Sequence, residues 1–227
     1  MVCLGIDTSG ETLSVGLCAG GEIIGERLTQ GENPHSVVIL PEIEALLKNA
    51  GLRSEDVSLI SVTGGPGRYT ALRVGMATAK GLAYSWNVPM VRISTLEALA
   101  MSLLPHQGPV ASILDARKQL VYYGLFEAQG NSLKRLKDDL AVPYMGAASL
   151  TPENGLLTGD GVSLVTPYLE EKGVACETRE STIHGGTVAK LGEAFFMSRG
   201  FNEIFEGPAY IRRVEIHGGG PQSNPNG

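Results

Sequence analysis

The sequence has few of the residues that build metal and disulfide sites. Its 227 residues include three cysteines and four histidines. Three cysteines cannot all pair, and Cys3 and Cys18 lie in apolar, strand-like segments where a free thiol behaves as a small hydrophobic residue. No histidine is followed four residues later by another, so a helical two-histidine site cannot form. The sequence therefore predicts no bound metal and a reducing, cytoplasmic setting.

Positive charge and long hydrophobic runs are also scarce. Lys and Arg number 18 against 24 Asp and Glu, a formal net charge of −6. No basic cluster with interleaved aromatic residues is present, so this chain alone is predicted to bind nucleic acid poorly. No apolar run approaches about 18 residues, and the start lacks the charged and apolar regions of an export signal. We therefore expect a protein that is neither exported nor inserted in a membrane.

What is present is a regular alternation of strand and helix patterns. Hydrophobic residues make up 43% of the chain, enough for a substantial core. The first part reads as three strands joined by short turns and then as alternating helices and strands, in the order βββαβαβα. Ribonuclease H-like folds and the actin, sugar-kinase and Hsp70 (ASKHA) proteins share this order. We predict an α/β fold of this actin-like class, with two lobes built on a βββαβα core and the second lobe reduced.

The lobe boundaries follow from composition. The proline-containing stretch 105–109 separates a first lobe, residues 1–105, from a second, reduced lobe, residues 106–201. Residues 202–214 are expected to return to the first lobe, as the family resemblance described below implies. Residues 215–227 are rich in Gly, Pro, Asn and Ser without an apolar anchor, which predicts a flexible tail.

A strand, a glycine-rich loop and a helix of small residues follow one another in the stretch 58–83. Gly64, Gly65 and Gly67 allow positive φ and close backbone approach, and Thr70 opens a helix whose free N–H groups favour an anion. This suggests a phosphate site. The loop matches neither the GxGxxG nor the GxxxxGK[ST] spacing, however, and a tight turn between strand and helix also explains it. Both interpretations remain open at this point.

The helix that follows the loop suggests a docking surface. Ala71, Gly75 and Ala79 recur every fourth residue, which lowers one ridge of the helix and would let another helix approach closely. Apolar residues on its flanks add more surface than one sheet contact would cover. We therefore predict that this helix contacts a partner.

These residues also carry a resemblance to a known family. The stretch Gly65-Pro66-Gly67-Arg68-Tyr69-Thr70-Ala71-Leu72-Arg73 is similar to the GPGSFTGLR signature of the bacterial TsaB family, also called YeaZ. Other stretches resemble that family in the same order, over residues 1–213: Ile6-Asp7-Thr8-Ser9, His35-Ser36, Leu40-Pro41, Ala79-Lys80-Gly81-Leu82-Ala83, Ser94-Thr95-Leu96-Glu97-Ala98-Leu99, Asp115-Ala116-Arg117 and Pro208-Ala209-Tyr210-Ile211-Arg212. Arg68, Tyr69 and Ala71 depart from the usual Ser, Phe and Gly.

The resemblance implies a non-catalytic paralogue of TsaD, the subunit that transfers threonylcarbamoyl to adenosine 37 of tRNA. Such a chain docks on TsaD, works together with TsaE, and forms a homodimer when alone. The helices over 36–50 and 70–86 would supply the contact surface. The residues predicted to form it are Val37, Leu40, Ile43, Leu47, Leu72, Gly75, Met76, Ala79 and Ala83.

Asp7, at the end of the first strand, raises the question of catalysis. A ribonuclease H-like nuclease needs several carboxylates around two metals, but the fourth strand ends in Thr63 and two glycines. We interpret Asp7 as a turn residue that accepts N–H bonds from Ser9 or Gly10. No catalytic residue is assigned. The alternative function is an actin-like ATP phosphotransferase that uses Asp7, the Gly65–Thr70 loop and Asp115.

A nucleotide remains conceivable in one place. If ATP or ADP binds at the partner interface, we expect it near the first strand end and the glycine loop. The candidate contacts are Asp7, Gly65, Gly67, Arg68 and Thr70. No other cofactor is expected.

Overall fold

The computed structural model describes residues 1–31 and 35–199, which form two β-sheets with helices against their faces. The predicted order βββαβαβα of the first part is confirmed. The stretches 202–214 and 215–227 lie outside the described residues, so their assignments stay predictions. Among the helices of the described ranges, none is long and apolar enough to cross a membrane.

The first sheet has five strands in the spatial order β3-β2-β1-β4-β5. Their bounds are β1 Val2–Asp7, β2 Leu13–Ala19, β3 Glu22–Thr29, β4 Leu59–Thr63 and β5 Met90–Ile93. The first three form an antiparallel meander, whereas β1, β4 and β5 run parallel. Helices α1 (His35–Asn49) and α2 (Tyr69–Trp86) make the crossovers that parallel pairing requires. The carboxyl ends of β1 and β4 therefore lie side by side.

The two faces of this sheet are covered by different helices. Strand residues at alternate positions form one core with α1 and α2: Leu4, Ile6, Val15, Leu17, Ile60 and Val62. The residues between them face the opposite side, where Cys3, Cys18, Leu59 and Val91 pack with Ala189 of α6 (Gly185–Arg199). Because both faces are buried, β1 and β4 are apolar almost throughout, as is typical of strands between two helical layers.

The second sheet has six strands and continues the α/β pattern. The path β11-β10-β6-β7-β8 is complemented by β9, which also pairs with β7. The bounds are β6 His106–Asp115, β7 Leu120–Gly130, β8 Ser132–Arg135, β9 Leu140–Pro143, β10 Leu156–Thr158 and β11 Glu177–Thr178. Helices α4 (Tyr144–Leu150) and α5 (Val162–Glu171) pack on one face, and α3 (Thr95–Met101) packs on the other.

Two helices pack on the sheet of the other predicted lobe. Helix α3 falls within the predicted first lobe but packs on the second sheet, where Arg135 bonds to Glu97 at 2.8 Å. Helix α6 falls within the predicted second lobe but lies across the first sheet. A Cβ on Gly5 would stand 2.1 Å from the Gly185 carbonyl oxygen, so only glycine lets this helix approach so closely. Residue 105 therefore separates the strands of the two sheets but not the helices that cover them, and the division into two lobes stays a prediction.

Candidate functional site

Asp7 lies where the sequence placed it, at the carboxyl end of β1. Its side chain is 3% exposed, and its Oδ1 accepts bonds from the Ser9 N–H at 3.1 Å, the Ser9 hydroxyl at 2.7 Å and the Thr63 hydroxyl at 2.6 Å. The interpretation of Asp7 as a turn residue bonded to Ser9 is confirmed. Burial raises the pKa of the Asp7 carboxyl, while the bonds from Thr63 and Ser9 and the nearby His35 offset part of that rise.

The raised pKa of Asp7 predicts how the stability of the fold changes with pH. Because the folded chain holds the Asp7 proton more tightly than the unfolded chain, this group favours folding below its unfolded pKa, and that contribution is lost as pH rises through the folded pKa. Asp7→Asn has no charge to bury and keeps an oxygen acceptor. Its unfolding free energy relative to wild type should therefore increase from about pH 3.5 to pH 8, by about 1.4 kcal/mol for each unit of pKa rise. Urea unfolding across this range measures it. A relative loss of stability with rising pH would show that the ionised form is favoured by its donors.

The glycine loop after β4 is packed against its own chain. A Cβ on Gly67 would lie 2.6 Å from the Ser9 carbonyl oxygen, and the Arg68 N–H donates to that same oxygen at 2.8 Å. A Cβ on Gly64 would meet the Arg92 side chain at 2.0 Å. These glycines therefore permit close approaches to Ser9 and Arg92. Such contacts within the chain are what a tight turn requires.

The remaining candidate nucleotide contacts surround this turn. Gly65 has φ +108° and its carbonyl accepts from the Thr95 N–H at 2.9 Å. Thr70 is exposed at the start of α2, and the exposed Arg68 guanidinium lies 3.4 Å from Glu11. Asp7, Gly67 and Arg68 line a common cleft, which Gly65 and Thr70 do not line. A nucleotide contact there remains a prediction.

A cleft of about 590 Å³ opens between the two sheets at this point. On its far side the β6–β7 hairpin turns at Asp115, whose N–H bonds to Asp160 Oδ1 at 2.9 Å and whose Oδ1 accepts the Arg117 N–H at 2.7 Å. The interpretation of Asp115-Ala116-Arg117 as a hairpin bend is confirmed. Arg117, Lys118 and Gln119 all have left-handed backbones, with φ of 60°, 52° and 62°.

No metal centre is formed in the part of the chain that the structure describes. There, no three His, Cys, Asp or Glu side chains come together in a way that could hold an ion. The His35 Nε2 lies 3.1 Å from the Glu11 carbonyl oxygen, a contact to backbone. His35 and Ser36 follow one another on α1 and point in different directions, so they do not form a base and nucleophile pair.

The predicted partner residues divide sharply by exposure. Val37 and Leu40 of α1 are 63% and 54% exposed. The other seven are buried within this chain: Ile43, Leu47, Leu72, Gly75, Met76, Ala79 and Ala83. The prediction that the Ala71, Gly75 and Ala79 ridge faces a partner is therefore wrong. That ridge turns toward the chain's own first sheet, where a Cβ on Gly75 would lie 2.2 Å from the Thr8 hydroxyl oxygen.

A second small-residue ridge of α2 faces outward and was missed from the sequence. Ala77, Gly81 and Tyr84 are exposed and follow one another at spacings of four and three. Nothing lies within 4 Å of a Cβ built on Gly81, and Tyr84 is 87% exposed. Ala77 and Gly81 are small residues four positions apart, as in the inner ridge, but only the packing of α2 shows which ridge faces outward. We call Val37, Leu40, Ala77, Gly81 and Tyr84 the outer helical face.

A groove that includes Leu40 lies between the carboxyl halves of α1 and α2. Its volume is about 530 Å³. The apolar lining comes from Leu40, Ile43, Leu47, Leu52, Leu82 and Trp86, and charged residues Glu44, Lys48 and Arg53 stand around it. The part of the two helices that other molecules can reach thus has both exposed apolar side chains and a depression.

Comparison with known proteins agrees with this architecture. A family model described as "TsaD: tRNA N6-adenosine threonylcarbamoyltransferase" matches residues 29–156. A Bacillus subtilis protein named tRNA threonylcarbamoyladenosine biosynthesis protein TsaB is 37% identical over 174 residues, which cover 75% of this chain and 76% of that protein. The chain belongs to the TsaB family. The TsaB protein of Haemophilus influenzae is also 37% identical, over 54% of this chain and 52% of its own length.

A solved TsaB-family structure shows the same fold. YeaZ from Pseudomonas aeruginosa superimposes with a TM-score of 0.80 at 24% identity, and the match covers 92% of this chain and all of that one. At this identity the likeness concerns the fold. The two chains share the fold described above.

Proposed function

We propose that this chain is a non-catalytic subunit in the formation of threonylcarbamoyladenosine at position 37 of tRNA. Family membership supports a role in this process, since the relatives are named as threonylcarbamoyladenosine biosynthesis proteins. The site supports the non-catalytic role: Asp7 is held by Ser9 and Thr63, and the glycine loop is filled by its own chain. The chain acts in the cytoplasm, and with a net charge of −6 it contributes little tRNA affinity itself.

The partner in this proposal is a TsaD-type transferase, with TsaE joining the assembly. The observation that carries it is the outer helical face, which leaves Leu40 54% exposed and Tyr84 87% exposed beside an open Gly81. Large apolar side chains on adjacent helices, next to small residues, allow two further helices to pack at close range. TsaD and a second copy of this chain would use the same face, so heterodimer and homodimer should exclude each other.

Charge placed on the outer helical face tests this directly. We expect Leu40→Asp to weaken binding to the cognate TsaD by about a hundredfold, since central interface residues contribute about 2 kcal/mol or more. The fold should persist because Leu40 is mostly exposed. Calorimetric titration with purified TsaD measures the affinity, and size-exclusion chromatography of the free variant reports the homodimer.

The matched control is Met145→Asp, which places the same charge at a 57% exposed residue of α4. It should leave TsaD binding unchanged. Equal loss in both variants, or full binding by Leu40→Asp, would contradict the proposed face. The phosphotransferase alternative predicts ATP turnover by the isolated chain, which the proposal does not.

A further inference from the structure

Ser94 joins the two sheets, because it lies directly after β5 and directly before α3. Its backbone is held at the first sheet, where the next N–H, that of Thr95, donates to the Gly65 carbonyl at 2.9 Å. Its hydroxyl donates to Asp139 Oδ2 at 2.6 Å, and Asp139 lies between β8 and β9 of the second sheet. One side chain therefore bonds to the second sheet from a position that is held in the first.

Arg135 of β8 extends this contact into a network. Its guanidinium bonds to Asp139 Oδ1 and, at 2.8 Å, to Glu97 Oε2 of α3. The same group lies over the Phe126 ring, with its central carbon 4.8 Å from the ring centroid. Partly buried charges are screened less than surface pairs, and a planar guanidinium holds two carboxylates in a fixed geometry. We call Ser94, Glu97, Arg135 and Asp139 the Arg135 network.

The other side of α3 meets the first sheet and its covering helix through apolar side chains. Ala98 and Leu99 pack with Ile93 of β5 and with Val188 of α6. Apolar contacts are not directional, so packed elements of this kind can slide past one another in small shear motions. The hydrogen bonds of the Arg135 network therefore supply directional restraint at this junction.

We propose that the Arg135 network is a clamp that holds the two sheets at one angle and keeps the cleft between them at a fixed width. Ser94 follows the carboxyl end of β5, the same edge of the first sheet at which Asp7 and Gly67 line the cleft. If one sheet turned against the other, the Ser94 bond to Asp139 would break or α3 would separate from Arg135. Proteins that close around a ligand need a junction that yields. This junction is held, so a ligand or partner meets the cleft in one shape.

Pulsed electron paramagnetic resonance on the full chain tests the proposal by measuring the distance between two spin labels. The labels are attached at Glu11→Cys, on the turn between β1 and β2, and at Gln119→Cys, on the turn between β6 and β7. Cys176→Ser removes the partly exposed natural thiol, whereas Cys3 and Cys18 are buried. We expect one narrow distance distribution for this labelled parent chain.

Loss of the guanidinium should release the clamp. Arg135→Met keeps an apolar contact with Phe126 but leaves two partly buried carboxylates without their cation, so the distribution should broaden about twofold or more. Arg135→Lys can hold only one carboxylate at a time and should broaden it less. The matched control is Arg179→Met, which removes an exposed ion pair with Glu177 from the same sheet and should leave the width unchanged.

Asp139→Ala separates the clamp from the stability of the fold. It removes the acceptor of both bonds at a loop residue and leaves the cap of α3 intact, so the chain should stay folded while the distribution broadens. An unchanged width in Arg135→Met or in Asp139→Ala, whatever the melting temperature, would show a merely structural network and overturn the proposal. So would equal broadening by Arg179→Met, or a parent distribution as broad as that of Arg135→Met.

Discussion

Replacing Ala79 by glutamate should strongly destabilise the fold, whether or not a partner is present. Ala79 is fully buried between α2 and the first sheet, within the core that includes Ile60, Val62 and Met76. A carboxylate there would lack an ionic partner and would displace packed side chains. An uncompensated buried charge costs about 3–5 kcal/mol, a large part of the roughly 5–15 kcal/mol that stabilises a domain.

The same substitution two residues earlier is the matched control. Ala77 is exposed on the outer helical face, so Ala77→Glu should unfold at nearly the same denaturant concentration as wild type. Circular dichroism during urea unfolding compares the two variants. If Ala79→Glu retained wild-type stability, the packing of α2 described here would be wrong. A folded Ala77→Glu that no longer binds TsaD would add support to the proposed interface.

A second large effect is expected where α6 crosses the first sheet. In Gly5→Val the new Cβ would fall 2.1 Å from the Gly185 carbonyl oxygen and 2.4 Å from the Ala189 nitrogen. Both are backbone atoms, so the helix must shift as a whole, which would also strain the bond from the Gly185 N–H to the Ser14 hydroxyl at 2.7 Å. We expect a loss of about 3 kcal/mol or more in unfolding free energy.

Gly10→Ala provides the comparison for this variant. Nothing lies within 4 Å of a Cβ at Gly10, and its φ is not positive. Its unfolding free energy should stay within about 0.5 kcal/mol of wild type. Hydrogen exchange can locate the damage in Gly5→Val, because the amides of α6 should lose protection first. Wild-type protection of α6 in that variant would argue against the close crossing.

The order of elements could be predicted from the sequence because it depends on local patterns. The three opening strands were predicted in the observed order, and the helix predicted over 70–86 begins one residue earlier, at Tyr69. The apolar alternation and the glycine punctuation carry that information. The edge strand Glu177–Thr178 could not be placed in this way, since a two-residue strand has almost no pattern of its own.

The packing partners of helices could not be predicted in this way. Helix α2 has two ridges of small residues, and the sequence does not say whether the ridge with Gly75 or the ridge with Gly81 meets the sheet. Helix α6 needs its glycines because it passes close to Gly5 and Gly16, residues about 170 positions away along the chain. Close packing of this kind depends on two segments that are far apart in the sequence. The residue pattern within either segment does not reveal which other segment it contacts.

The crossing of α6 over the first sheet also affects how the protein is made. During synthesis the ribosome releases all five strands of that sheet long before it releases α6, since β5 ends at Ile93 and α6 begins at Gly185. Until then Cys3, Leu59 and Val91 have no cover on their side of the sheet. The nascent chain therefore presents an apolar sheet face while about 90 further residues are added, which at 5–20 residues per second takes roughly 5–20 s. A chaperone that binds apolar surface would find its substrate on that face.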